Sequence, residues 1–223
     1  MSKLWAIVNK DIVTELRTKE LLTSMLTFSL LVIVIFSFTF GLSAELMNLA
    51  APAMLWIAFS FAGILGLSRS FALEKEGNAI MGLLVTPADR SLIYFAKLLS
   101  NTVFVFLVAV IMVPMFVLFF NLRFTPGLLQ LVPVIFFGSL GFVSVGTLFS
   151  AMALNTRLRD VLLPILVFPI VIPLLVSAVK LSSSVFSGGS VLDETPSLKL
   201  LIAFDIIFIA ACSVVFEYVI EES

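Results

Sequence analysis

The stretch Leu22-Thr-Ser-Met-Leu-Thr-Phe-Ser-Leu-Leu-Val-Ile-Val-Ile-Phe-Ser-Phe-Thr-Phe40 carries no charged side chain, no proline and no glycine. A helix rises about 1.5 Å per residue, so this run is about as long as the hydrocarbon core of a bilayer is thick. It is too long for the apolar part of a signal peptide and lacks a small-x-small cleavage site. It therefore reads as a retained transmembrane helix. Working outward, comparable runs recur to the C-terminus, giving spans near residues 22–43, 50–68, 92–120, 128–154, 161–181 and 198–219. The expectation is an all-α, polytopic membrane helical bundle, with residues 1–223 forming one transmembrane domain. Composition agrees: 61% of residues are hydrophobic and 12% charged, against about a quarter charged in a soluble domain.

Charge distribution sets the predicted orientation, because short connections rich in Lys and Arg stay on the cytoplasmic side. Lys3, Lys10, Arg17 and Lys19 precede the first span, Arg69, Lys75, Arg90 and Lys97 flank the connection between the second and third, and Arg157 and Arg159 separate the fourth from the fifth. Only Arg123, Lys180 and Lys199 fall on the other side. Both termini are thus expected in the cytoplasm. Net charge is −1, which implies no nucleic acid partner.

Residues 1–20 read as an interfacial amphipathic helix. Lys3, Lys10 and Arg17 share one stripe and Trp5, Val8, Ile12 and Leu16 lie roughly opposite, a pattern suited to membrane lipid. Asp11, Glu15 and Lys19 interrupt the apolar side. Residues 69–91 are expected to form the main cytoplasmic loop, holding apolar Phe71, charged Glu74-Lys75-Glu76 and a turn at Thr86-Pro87-Ala88-Asp89. A short surface helix there is predicted either to dock into a partner or to lie on the bilayer. Residues 182–197, rich in Ser and Gly, are expected to be a flexible extracytoplasmic loop.

Small residues in line, Ala58, Ala62 and Gly66 in span two and Gly138, Gly141 and Ser144 in span four, predict close helix contact. Span five holds Pro164, Pro169 and Pro173, each removing a backbone donor, so a bent or broken, path-lining helix is predicted. Asp205 lies roughly 10 Å into span six with no cation one turn away, and should face the bundle interior. Lys97 is expected to snorkel to the interface.

Several functions are excluded or weakened. The chain has no histidine, removing the commonest general base, neutral metal ligand and heme axial ligand. No glycine opens a G-x-x-x-x-G-K-[ST] pattern, so any ATP-driven work needs a motor on another polypeptide. No nucleophile–base pair or metal cluster is recognisable, so the chain reads as a non-catalytic subunit. Cys212 is the one cysteine and reads as a small buried hydrophobe.

Ala51-Pro-Ala-Met-Leu-Trp56, Phe71-x-x-Glu74-x-Glu76-Gly77 with Gly82-Leu-Leu-x-x-Pro87 and Lys97, and Leu163-Pro-x-Leu-x-x-Pro-x-x-Ile-Pro173 together resemble the heme exporter protein B family of the ABC-type system for cytochrome c maturation. The resemblance covers essentially the whole chain. It implies an ABC-2-type exporter permease-like subunit in the bacterial inner membrane, with a separate cytoplasmic ABC ATPase that binds ATP and other maturation subunits in the membrane. Heme is then the implied substrate. By position the resemblance assigns ATPase coupling to Phe71, Glu74, Lys75, Glu76, Gly77, Pro87 and Arg90. From the residues alone, a non-transporting scaffold anchoring the ATPase and a proton-coupled carrier built on Asp205 stay open as alternatives.

Overall fold

The structure is a computed structural model and describes residues 2–39, 44–76, 90–122, 125–153, 156 and 158–221. Its helices are α1 (Ser2–Thr18), α2 (Glu20–Thr39), α3 (Ala44–Glu76), α4 (Arg90–Phe119), α5 (Leu131–Ala153), α6 (Arg159–Phe186) and α7 (Thr195–Glu221). Short 3-10 turns at Pro126–Gln130 and Val191–Glu194 lead into α5 and α7. No strand occurs among the described residues. Lipid offers backbone groups no partner, so each helix closes its own hydrogen bonds.

Helices α2 to α7 supply six segments long and apolar enough to cross a membrane, from Glu20–Thr39 to Val191–Val219. Their outer faces carry Leu31, Ile35, Val103, Leu107, Ile172 and Ile206 exposed, an apolar surface suited to lipid or to another membrane helix. Helix α5 packs against α3, α4, α6 and α7. The apolar window of α3 is 72% buried and that of α5 61%, against 22% for α2 and α7. The core therefore lies between α3 and α5.

That core is built by bulky side chains entering glycine gaps in both directions. Trp56 of α3 covers Gly138 of α5, and Phe142 of α5 covers Gly63 of α3. Met25 of α2 and Leu67 of α3 sit in the same way over Gly66 and Gly146. Dispersion contacts replace the hydrophobic effect as the force between helices in lipid, so approach this close matters. Trp56, Phe59 and Phe142 continue the contact edge to face, with centroids 4.8 and 5.4 Å apart.

Two expectations are corrected here. The segment 182–197 is structured: α6 runs to Phe186, and a capped turn begins at Ser190. Gly188 takes the left-handed conformation at φ 84°, where a side chain would be strained. Ser190 accepts from Leu192 N at 3.3 Å, and Asp193 accepts from Ser190 N at 2.6 Å. Gln130 accepts from Val191 N and from the Ser190 hydroxyl, both at 3.0 Å. Of the serines that suggested flexibility, Ser190 caps the turn and Ser184 donates to the Ser190 carbonyl.

Helix α6 is also unbroken from Arg159 to Phe186 through all three prolines. Its inward stripe is Leu163, Val167, Val171, Leu174, Ala178 and Leu181, all fully buried, whereas Pro169 and Pro173 lie on the exposed face and Pro164 is half-buried. Abandoning a helix in lipid would strand many backbone groups, and continuing it past a proline strands few. Pro169 and Pro173 therefore stand apart from the inner stripe of the helix.

Candidate functional site

The end of the bundle that carries α1 is ringed by polar side chains from five helices. Helix α1 packs on α4 through Leu4, Ile7, Val8 and Ile12, and leaves Trp5, Val13 and Leu16 exposed. Its buried side also holds Asp11 and Glu15. Lys97 of α4 reaches Asp11 Oδ2 with Nζ at 2.6 Å and is 2% exposed, so it does not snorkel. Ion pairing to α1 holds this cation inside, because a neutralised ammonium loses its drive to reach water. Lys10 adds a second contact to Asp11 at 3.1 Å.

Glu15 performs a different task. Lys19 takes φ 55°, which breaks the helix between α1 and α2. The Glu15 carboxylate then accepts from Leu22 N at 2.8 Å and Leu21 N at 3.4 Å. One helix thus caps the next, satisfying amides that have no intrahelical partner.

The third part of the ring clamps α3. Arg69 pairs with Glu20 of α2 at 2.5 Å. Ser68 donates to Asp160 of α6 at 2.6 Å, and Ser70 to Asn101 of α4 at 2.9 Å. Three successive residues of α3 are so tied to three different helices.

The sequence-predicted coupling residues distribute unevenly around this ring. Residues 69–76 continue α3 rather than opening a loop. Phe71 is buried in the core, so it anchors α3 and presents nothing to a partner. Glu74, Lys75 and Glu76 occupy the last turn of α3, and Arg90 starts α4. Gly77 and Pro87 lie outside the described residues. The connection thus leaves and re-enters the bundle through α3 and α4, the two helices that the ring grips.

The intramembrane candidates do not gather into one site. Asp205 faces inward as expected, crowding Gly141 together with Leu174 and Phe204, and neither carboxylate oxygen has a hydrogen-bond partner among the described residues. It meets Leu174 on the inner face of α6, away from Pro169 and Pro173. Tyr94 donates to the carbonyl of Ser144 at 3.2 Å, and its ring lies against Phe216 of α7 with centroids 5.3 Å apart, so it joins α4, α5 and α7. Between α3 and α6 an open groove of about 640 Å³ is lined by Trp56, Ser60, Phe61, Phe168, Val176 and Lys180. Trp56 Nε1 donates to Ser182 at 2.9 Å beside it. The groove is apolar and aromatic with a single cation at its rim.

Sequence reasoning missed the pairing of Asp11 with Lys97 and the cap made by Glu15. The signal was present as two acids, four residues apart, that interrupted the apolar side of α1.

Comparison with known proteins follows the same outline. The family model described as CcmB protein matches residues 2–221. A heme exporter protein B from Rhodobacter capsulatus is 26% identical over 176 residues, covering 79% of this chain and 80% of the relative. Another from Pseudomonas aeruginosa is 27% identical over 157 residues, covering 70% and 69%. A third, from Bradyrhizobium diazoefficiens, is 26% identical over 189 residues, covering 84% of each.

Proposed function

The chain belongs to the CcmB protein family, and on that premise we propose that it is the membrane permease subunit of a heme exporter serving cytochrome c maturation, driven by a separate cytoplasmic ATPase. It is a multi-pass protein of the bacterial inner membrane. The observation that carries the reading is the family match across residues 2–221 on a bundle of six spans. The chain itself contributes no ATP-binding motif, so hydrolysis belongs to a partner.

Coupling is proposed to enter through the connection between Glu76 and Arg90, with Glu74, Lys75, Glu76, Gly77, Pro87 and Arg90 at or near the contact. What supports this is the mechanics of its two ends. A push on the connection acts on α3 and α4, and the pairs Arg69–Glu20, Ser68–Asp160, Ser70–Asn101 and Lys97–Asp11 pass it to α2, α6 and α1. Packed elements move as bodies rather than deforming, so such ties carry displacement across the bundle. Heme, as substrate, is an apolar macrocycle with carboxylate arms. The aromatic groove between α3 and α6, with Lys180 at its rim, offers chemistry of the matching kind. Iron ligation by histidine is unavailable to this chain.

The test replaces residues 77–87 by a Gly-Ser linker, leaving α3 and Phe71 intact, and separately reverses Glu74 and Glu76 to Lys. The expected result is a folded membrane subunit that no longer co-purifies with its ATPase or stimulates hydrolysis. Undiminished co-purification and coupling in the linker variant would overturn the assignment. A scaffold that only anchors the ATPase is the second reading, favoured by the unbroken α6 with its prolines outward. Crosslinks tying α6 to α5 that leave heme delivery unchanged would select it.

A further inference from the structure

We propose that the notch where α1 turns into α2, against α3, binds the phosphate headgroup of an anionic phospholipid. The notch measures about 660 Å³ and runs from Lys19 at its mouth to Leu31 and Leu65 at its far end. Among its lining residues the mouth carries Lys19 and Arg69 against Glu20. Glu20 is engaged by Arg69 at 2.5 Å, which leaves the position of Lys19, on its left-handed backbone, as the excess charge. Cations flanking the start of a membrane span attract anionic headgroups. The first amides of α2 take no part, because Glu15 already accepts from Leu21 N and Leu22 N.

Below the mouth, Thr23, Ser24 and Thr27 are exposed along one face of α2. Thr23 donates to Lys19 O and Ser24 to Leu21 O, so their oxygens remain as acceptors. A headgroup carrying hydroxyl donors of its own, such as glycerol, satisfies them. Deeper still, Phe28, Leu31 and Leu65 make the lining apolar. Lys19 and Leu31 are about 18 Å apart along the helix, the reach of a headgroup and the upper part of an acyl chain. A free anion has no use for the apolar end, and a soluble partner cannot reach it. An amphiphile matches both ends.

Native mass spectrometry of the purified full chain, offered phosphatidylglycerol, phosphatidylethanolamine or inorganic phosphate, tests the site. Phosphatidylglycerol should be retained about tenfold over phosphatidylethanolamine. Lys19→Gln should cut that preference several-fold, and Lys19→Gln with Arg69→Gln should abolish it. Lys19 is exposed, so the single variant reads binding without disturbing the fold. Thr27→Leu, which keeps every charge, should weaken retention without equalising the lipids. Equal retention of the two lipids, an unchanged preference in Lys19→Gln, or displacement of the lipid by inorganic phosphate would each overturn the proposal.

Discussion

Lys97 Nζ lies 2.6 Å from Asp11 Oδ2, an ion pair that joins the third membrane span to the helix preceding the first. Its two partners are unequally protected, since Lys97 is 2% exposed while Asp11 also has Lys10 at 3.1 Å. Removing one member of a buried pair strands the other. Asp11→Asn, which takes from the buried Lys97 the carboxylate charge at 2.6 Å, should cost about 3 kcal/mol, and Lys97→Met, which leaves Asp11 to Lys10, about half of that. Thermal unfolding in detergent measures both, and the double variant Asp11→Leu with Lys97→Met should recover most of the loss.

Glu15 accepts from two amides at the start of α2. Glu15→Ala should cost about 1–2 kcal/mol. Amide exchange at Leu21 and Leu22 should rise, and proteolysis between α1 and α2 should accelerate. Glu15→Gln, which keeps an acceptor oxygen, should fall between wild type and Glu15→Ala.

A methyl group added at Gly138 would land on the Trp56 ring, whereas one at Gly127 would have only the Thr125 hydroxyl within reach, at 3.6 Å. Gly138→Ala should therefore destabilise by about 1–3 kcal/mol, with Gly127→Ala close to neutral. Equal melting temperatures for the two variants would contradict the interlocked α3–α5 core.

The two tryptophans report on opposite environments, with Trp5 60% exposed and Trp56 2%. In Trp56→Phe the remaining Trp5 should be quenched by lipids brominated near the headgroup. In Trp5→Phe the remaining Trp56 should resist quenchers at every depth. Strong quenching of Trp56 would mean that lipid enters the α3–α6 groove it lines or that the α3–α5 contact opens.

Asp205 has no hydrogen-bond partner among the described residues, so burying a charge there is costly. Asp205→Asn keeps the shape and should leave stability unchanged or raise it by about 1 kcal/mol. Heme delivery by this variant decides the proton-coupled carrier, which loses its only support if delivery is undiminished. Asp205→Leu, which branches at Cγ as Asp does and removes both unpartnered oxygens, should be at least as stable as Asp205→Asn.

The helices were legible because lipid imposes one rule on every span, so a run such as Leu22 to Phe40 determines both its secondary structure and its surroundings. The rows Ala58–Ala62–Gly66 and Gly138–Gly141–Ser144 were legible for a related reason: close packing in lipid needs small residues, and all of these are buried. The inward face of Asp205 followed from the cost of turning a carboxylate to lipid. Other features depended on partners far away in the chain. Asp11 looked like a defect in an amphipathic pattern until Lys97, 86 residues on, was brought beside it. Residues 182–197 read alone as a flexible loop, whereas in the fold Gln130 meets their backbone at Val191.

The prolines of α6 mark the boundary most plainly. By itself the sequence determined that three backbone donors are missing from that span; only the tertiary structure decided that Pro169 and Pro173 face outward while Leu163 to Leu181 fill the bundle. Local chemistry decides which groups must be satisfied. Where the partners stand depends on how distant helices dock, and a single helix's pattern does not contain that information.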